Sequence, residues 1–462
     1  MLSGRSLIHP NFYLFHEKKN IQDMIANPLL NKEGQATRRA FTGQILAGSL
    51  AAGMLPEIQA ASDTPPVQGK AEACILLWMG GGMCHLDTFD PKQLGDPPHN
   101  KPGSAYPSIS TAIPGVEVCQ HLSQTAPLFD RGVILRSVHH PLSVDHADAS
   151  NFVKTGRVTD GTILYPSLGS IISHQLGPRV PDIPAYVVMG MPNITRGPGF
   201  LGAKYGYVYL TDTSSGPSGL KPPLDVGTER AKERARLLDR LRNEYVSHGS
   251  PDAIQDYDST ISKAYQLMHG DFAKVFNLEK EKQSLREDYG NDFGERCLIA
   301  RRLVESGARF VEASFNLNFV NGTGWDTHRE GQLKQHLLIQ GLDKALSTLI
   351  RDLEKRKLLD KTLVIVGTEF GRPAEFDNKQ GRGHQSTAFS FAFFGGGLRT
   401  GQSIGVTDSL GKKILERPVS IPDLHATILA ALGIDPQEEL SVELTFIFEI
   451  NHEKRCECIA SN

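Results

Sequence analysis

Residues 73–79 read Ala-Cys-Ile-Leu-Leu-Trp-Met, with no polar position, and stop at Gly80, Gly81 and Gly82. A strand with one wet face alternates polar and apolar residues, so a short, wholly apolar run ending in glycines fits a strand buried on both faces. Such a strand needs one layer above it and another below, which favours helices packed on both sides of a sheet. The rest of the chain supplies the alternation this requires. Residues 132–135, 185–189, 309–315, 362–366 and 391–394 read as further strands, and 228–245, 254–276, 295–305, 332–356 and 421–432 carry helical patterns. In the longest helix Leu337, Leu338, Leu342, Leu346 and Leu349 fall on the apolar face. The expectation is an α/β fold: a doubly wound, mostly parallel sheet flanked by helices.

Within 462 residues this pattern occupies roughly 73–440 as one domain, with a charged helical insertion at about 225–280 that carries no suggestive catalytic spacing and reads as a cover. Residues 1–60 read as an export region. Thr37-Arg38-Arg39-Ala40-Phe41 is a twin-arginine box, 45–55 is apolar and rich in small residues, and Ile58-Gln59-Ala60 offers a cleavage site before Ala61, with Met24 as an alternative start. The competing reading is a buried Ala/Leu helix behind two surface arginines. The apolar run is too short to span a bilayer, so the expected product has no transmembrane segment, joins its domain through a linker at 61–72, and is periplasmic or extracellular. Residues 441–462 form an atypical tail, either an extra edge strand or an altered terminus. Six scattered cysteines, Cys74, Cys84, Cys119, Cys297, Cys456 and Cys458, show no metal-finger spacing. With 49 basic against 52 acidic residues, nothing advertises nucleic acid as a partner.

Acidic and imidazole side chains gather where strands give way to loops, the usual place for ligands in an open α/β sheet. After the first strand come His85, Asp87 and Asp90; His85 and Asp87 alternate by two, as suits ligands of one cation, while Asp90 before Pro91 also fits a turn. Residues 137–157 contain His139, His140, Asp145, His146, Asp148 and Ser150, and Asp145 and Asp148 also suit a helix N-cap and first turn. In Trp325-Asp326-Thr327-His328-Arg329-Glu330, Thr327 and Glu330 have the spacing of a capping box, which leaves Asp326 and His328 as candidate metal ligands. Glu369 and Arg372 lie in Gly-Thr-Glu-Phe-Gly-Arg, where the guanidinium suits a tetrahedral oxyanion, and His384 lies in Arg-Gly-His.

Taken together, Cys-Ile-Leu-Leu-Trp-Met-Gly-Gly-Gly with His-Leu-Asp-Thr-Phe-Asp-Pro-Lys, Arg-Ser-Val-His-His, Lys154-Thr-Gly-Arg157, Gly-Trp-Asp-Thr-His, Gly-Thr-Glu-Phe-Gly-Arg and Arg-Gly-His make the chain resemble the bacterial domain of unknown function 1501. That family in turn resembles the alkaline phosphatase and sulfatase superfamily. The resemblance implies one or two divalent ions (zinc, calcium, magnesium or manganese) and hydrolysis of sulfate or phosphate esters, on an anionic substrate such as a sulfated or phosphorylated polymer. At the place, counted back from Gly156, where sulfatases carry the Cys or Ser that becomes formylglycine, this chain has His146. The resemblance therefore implies a retained metal framework, Asp87, His146, Asp326, His328, Glu369 and His384, and a replaced nucleophile. A metal-activated water would attack, Arg372 would stabilise the developing charge, and Ser150 is an alternative nucleophile with His146 as its base. A rival of another class is a non-catalytic binding or assembly protein that keeps the fold.

Overall fold

The apolar run forms β1 (Ala73–Trp78), and every one of its residues is buried. The reason is visible in how its side chains divide. Ala73, Ile75 and Leu77 enter one hydrophobic cluster, and Cys74, Leu76 and Trp78 enter another on the opposite face. A period of two places alternate side chains on opposite faces, so a polar residue anywhere in β1 would be desolvated. The computed structural model describes residues 69–442 and 446–449, apart from 143–144, 160–162, 191–196, 212, 214–226, 247–259, 261, 265, 268–270, 316–323, 329–330 and 378. The twin-arginine box, the cleavage site, Cys456 and Cys458 lie outside the described residues.

The main sheet holds nine strands. In chain order these are β1, β2 (Gly132–His139), β3 (Tyr186–Met189), β4 (Val208–Leu210), β5 (Phe310–Ser314), β6 (Thr362–Gly367), β7 (Phe389–Gly395), β8 (Gln402–Ile404) and β9 (Val419–Ser420). They lie side by side as β8-β2-β7-β6-β1-β5-β3-β4, with β9 added against β2. β1 is central and pairs in parallel with both neighbours, Leu77 facing Ala313 of β5 and Val366 of β6. Only β7 runs against its neighbours, β2 and β6. The expected mostly parallel, helix-covered sheet is therefore present.

Helices α1 (His146–Thr155), α2 (Leu168–Leu176) and α7 (Ile421–Ala431) supply Phe152, Ile172 and Leu429 to one face. On the other face, α5 (Asp292–Ser306) and α6 (Gly331–Lys355) pack together over Ile75 and Leu77. Between β4 and β5 come α3 (Thr228–Val246), a charged, largely exposed helix, and α4 (Gln283–Tyr289), which packs against α6. Of the helix expected over 254–276, the described residues 260, 262–264, 266 and 267 are helical, and Asp271–Phe276 is a 3-10 turn burying Phe272, Val275 and Phe276.

One expectation is corrected. Leu338, Leu342, Leu346 and Leu349 of α6 are buried, whereas Leu337 is 47% exposed; the buried stripe steps by three and four, and Leu337 falls one residue ahead of it, about 100° around the helix. In the tail, β10 (Glu439–Val442) and β11 (Phe446–Glu449) pair with each other and do not extend the main sheet. Among the described residues Cys74, Cys84, Cys119 and Cys297 are buried free thiols, and no helix is long and apolar enough to cross a membrane.

Leu346 is fully buried in the cluster beneath β1, so Leu346→Ala should lower unfolding free energy by about 2–5 kcal/mol. Equilibrium denaturant unfolding measures this, and a loss below about 1 kcal/mol would mean that α6 does not seal this face.

Candidate metal centre

The carboxyl ends of β1, β2, β5 and β6 lie along one edge of the sheet, and the chain emerging from each contributes to one cluster. β1 turns at Gly81 and Gly82, both with positive φ. A Cβ on Gly82 would stand 2.6 Å from the Phe370 ring, so glycine is required there by both conformation and space. The turn is fastened to the end of β6: Gly81 N donates to Glu369 Oε1 at 2.8 Å, Met83 N donates to Thr368 Oγ1 at 3.0 Å, and Thr368 Oγ1 donates to Met79 O at 2.9 Å.

His146 opens α1, which Asp145 caps by accepting from Ala147 N and Asp148 N. The helix end thus aims the imidazole along the sheet edge. Its Nδ1 donates to Glu369 Oε1 at 2.7 Å, and its Nε2 faces Asp326 Oδ1 at 3.5 Å. Around the same Asp326 oxygen lie His384 Nε2 at 3.2 Å and His328 Nε2 at 3.1 Å, and the two Nε2 atoms are 3.0 Å apart. The ligating atoms of His146, Asp326 and His384 all lie within 4.8 Å of one another. Arg372, fully buried, also donates to Asp326 Oδ1.

Burial alone would raise the Asp326 pKa, but hydrogen bonds from His146 and His384 and the Arg372 charge hold its carboxyl well below the usual range. Burial likewise pulls the His146 imidazole down, but Asp326 and Glu369 outweigh it, and its pKa is raised to about 9. At His328 burial wins over the pull of Asp326, and the imidazole is pushed below its ordinary value. A proton on His146 and a cation at Nε2 are alternatives, because an imidazole ligates only when neutral. The geometry fits the second: the ligating atoms of His146, Asp326 and His384 lie within 4.8 Å of one another, close enough for one cation to meet all three.

Of the residues singled out in the sequence, His146, Asp326, His328 and His384 come together with Glu369 at their back. Glu369 is 1% exposed, with Oε1 taken by Gly81 N and His146 Nδ1 and Oε2 by Thr368, so it orients the imidazole from behind. Asp87 lies elsewhere. Its carboxylate is fully buried and accepts from Arg382 Nε and Nη2 at 3.1 and 3.0 Å, Gln332 Nε2 at 2.8 Å and Ala105 N at 2.7 Å. His85 donates to Gly411 O, Asp90 pairs with Lys92, and His140 donates to Glu369 O.

Arg372, expected to meet a substrate oxyanion, spends its three nitrogens on the carbonyls of Gly81, Gly82, Arg382 and Gly383 and on Asp326. Ser150 lies one turn after His146 on α1, but the two ring nitrogens face Glu369 and Asp326, so His146 is not aimed at its hydroxyl. Thr327 does not begin a helix, since α6 starts at Gly331; its hydroxyl donates to Gln332 Oε1, and Glu330 lies outside the described residues. Lys154 of the Lys-Thr-Gly-Arg motif is buried against Glu312, with its ammonium 4.0 Å from the Trp78 ring centroid. Sequence reasoning passed over Arg382, although it stands two residues before His384. A buried arginine reaching a buried aspartate nearly three hundred positions away leaves no local periodic signal.

Strand order and cluster together define an α/β protein with a histidine–aspartate centre at the carboxyl edge of a mostly parallel sheet. The chain belongs to the family described as "Protein of unknown function (DUF1501)", whose model matches residues 71–455. No curated protein matches it in sequence. Among solved structures it is similar to a protein in the alkaline phosphatase superfamily from Vibrio parahaemolyticus (10% identity, 87% of this chain and 76% of that one, TM-score 0.35). It is also similar to a sulfatase from Pseudoalteromonas sp. (12%, 79% and 68%, 0.34) and to an alkaline phosphatase from the Antarctic bacterium TAB5 (13%, 71% and 92%, 0.30).

Two measurements test this geometry. Removing one partner of a buried ion pair strands the other charge, so Asp87→Ala should cost about 3–5 kcal/mol of stability, read by denaturant unfolding; a cost under about 1 kcal/mol would mean that Arg382 finds water. In metal-free protein, NMR titration should place the His146 midpoint at about 9. Because the folded value is raised, the associated stabilisation is complete below the unfolded value of about 6.5 and is lost as pH rises through the folded one. A midpoint at or below about 6.5 would mean that the two carboxylates do not hold the ring.

Proposed function

We propose that this chain is an exported metal-dependent hydrolase of sulfate or phosphate esters. The observation that carries the reading is the convergence of His146 Nε2, Asp326 Oδ1 and His384 Nε2, with His328 Nε2 beside them, at the carboxyl edge of the sheet. A divalent ion bound there supplies Lewis-acid polarisation of an ester oxygen and lowers the pKa of bound water. Imidazole donors beside a carboxylate suit a zinc-like ion better than calcium or magnesium, which favour all-oxygen sites.

The chain's own residues divide the remaining work. Glu369 accepts the Nδ1 proton of His146 and so leaves the Nε2 lone pair facing Asp326 and His384. Arg372 holds Asp326 from the buried side. The side chains of His146, Asp326, His328 and His384 remain 31, 19, 38 and 18% exposed, which leaves solvent and an ester an approach. With an imidazole where sulfatases place their nucleophile, and His146 not aimed at Ser150, water is the nucleophile this site supports. The twin-arginine box supports export to the periplasm or beyond, as a folded protein that acquires its ion first.

Elemental analysis of purified protein, run with a panel of sulfate and phosphate monoesters, tests the proposal. Stoichiometric divalent metal and turnover are expected, with both lost in Asp326→Ala and His384→Ala. Glu369→Gln, which touches no candidate ligating atom except through His146, should weaken metal affinity by about 10–100-fold. Protein with neither bound metal nor turnover sinks this reading. Metal without turnover transfers the chain to the binding or assembly class.

A further inference from the structure

The opposite end of α6 carries a second feature. Between α4 and the carboxyl-terminal half of α6 lies an open groove of about 850 Å³, lined by Lys280, Lys282, Lys344, Arg351, Lys355 and Arg356. Only three carboxylates line it, Glu281, Asp288 and Asp352. Two of these are already matched from within: Arg301, fully buried, pairs with Glu281 and Asp352 at 2.9 Å each, and Arg302 pairs with Glu281 at 2.5 Å. Arg356 joins the same network through Asp352, Glu281 and Glu305. That leaves the outer cations. Among the described residues Lys280, Lys282, Lys344 and Lys355 are exposed and make no ion pair, and Arg351 donates only to the Gln124 carbonyl.

On α6, Lys344, Arg351 and Lys355 follow at intervals of seven and four, so they form one stripe along the helix. An unneutralised stripe of ammonium and guanidinium groups beside a concave surface raises the local concentration of anions, and its spacing along a helix suits a ligand with repeated charges. The lining contains no aromatic ring, whereas single-stranded nucleic acid is held by base stacking on aromatic side chains. Gln124, Ser284 and Thr348 instead offer neutral hydrogen-bonding groups of the kind that meet hydroxyls.

We propose that this groove binds an acidic polysaccharide, a chain of sugars bearing sulfate or carboxylate groups. The site is separate from the metal centre. Asp326 and His328 precede the first residue of α6, and Lys344 to Lys355 lie 13 to 24 residues further on, which at 1.5 Å per residue is about 20–36 Å along the helix. Binding here therefore does not depend on the ester chemistry proposed above.

Titration of the full-length protein with fluorescent heparin, a sulfated polysaccharide, tests the proposal. Binding should weaken steeply with added salt, and the triple substitution Lys282→Glu, Lys344→Glu and Lys355→Glu should weaken it by about tenfold or more. The triple variant should keep the thermal unfolding midpoint of the parent, since none of the three side chains makes an ion pair. Chelator-treated protein should bind heparin as the untreated protein does, which separates this site from the metal centre. Heparin affinity unchanged in the folded triple variant overturns the assignment of the groove. Oligothymidylate of equal charge binding as tightly as heparin overturns the polysaccharide in favour of nucleic acid.

Discussion

One buried guanidinium holds the centre together. Arg372 has no exposed surface, and its nitrogens are distributed over the glycine turn after β1, the carbonyls of Arg382 and Gly383, and the Asp326 carboxylate. Those three segments come from distant parts of the sequence, and this one side chain binds all of them. An unpaired arginine in this position would be far costlier than an apolar residue, so the attachment is all or none: each acceptor must be present for the charge to stay buried. The same interaction adds to the electrostatics of the site: hydrogen bonds from His146 and His384 keep Asp326 ionised, and the Arg372 charge reinforces them.

A second buried pair, Asp87 with Arg382, works beside the first. Arg382 donates to Asp87 and to the carbonyls of Gly103, Pro373 and Ala374, so the loop after β1 and the loop before β7 are fastened at two depths. His384 stands two residues beyond Arg382 and inherits its position from it. The aspartate that most resembles a metal ligand in the sequence thus contributes by placing a different candidate ligand.

The sheet was legible because burial on two faces leaves an unmistakable trace. Residues 73–79 and 362–366 carry no charge at all, and β1 and β6 appear within a residue of where those runs predict. The candidate site was legible in part. Asp326, His328, His146 and His384 stand out as imidazoles and carboxylates near strand ends, and those four converge. What the sequence hid was partnership. Asp87 and Asp326 look alike as residues following strands, and only the third dimension shows one enclosed by Arg382, Gln332 and a backbone N–H, and the other facing three imidazoles beside Arg372. Likewise Arg372 has the chemistry of an anion binder, and whether it meets substrate or backbone depends on loops whose meeting has no local signature.

The reversed strand has a consequence for how the site is built. Parallel neighbours must be joined by a crossover that returns the chain to the far edge of the sheet, whereas antiparallel neighbours are joined on the edge where the first one ends. Because β7 runs against β6, the 21-residue connection between them, 368–388, both leaves and rejoins the sheet at the carboxyl edge. Glu369, Arg372, Arg382 and His384 all lie on that one connection. A single inverted strand thereby lets one uninterrupted loop furnish the candidate ligand His384, the carboxylate that orients His146, and both anchoring guanidinium groups, so that these four are inherited, lengthened or lost as a unit.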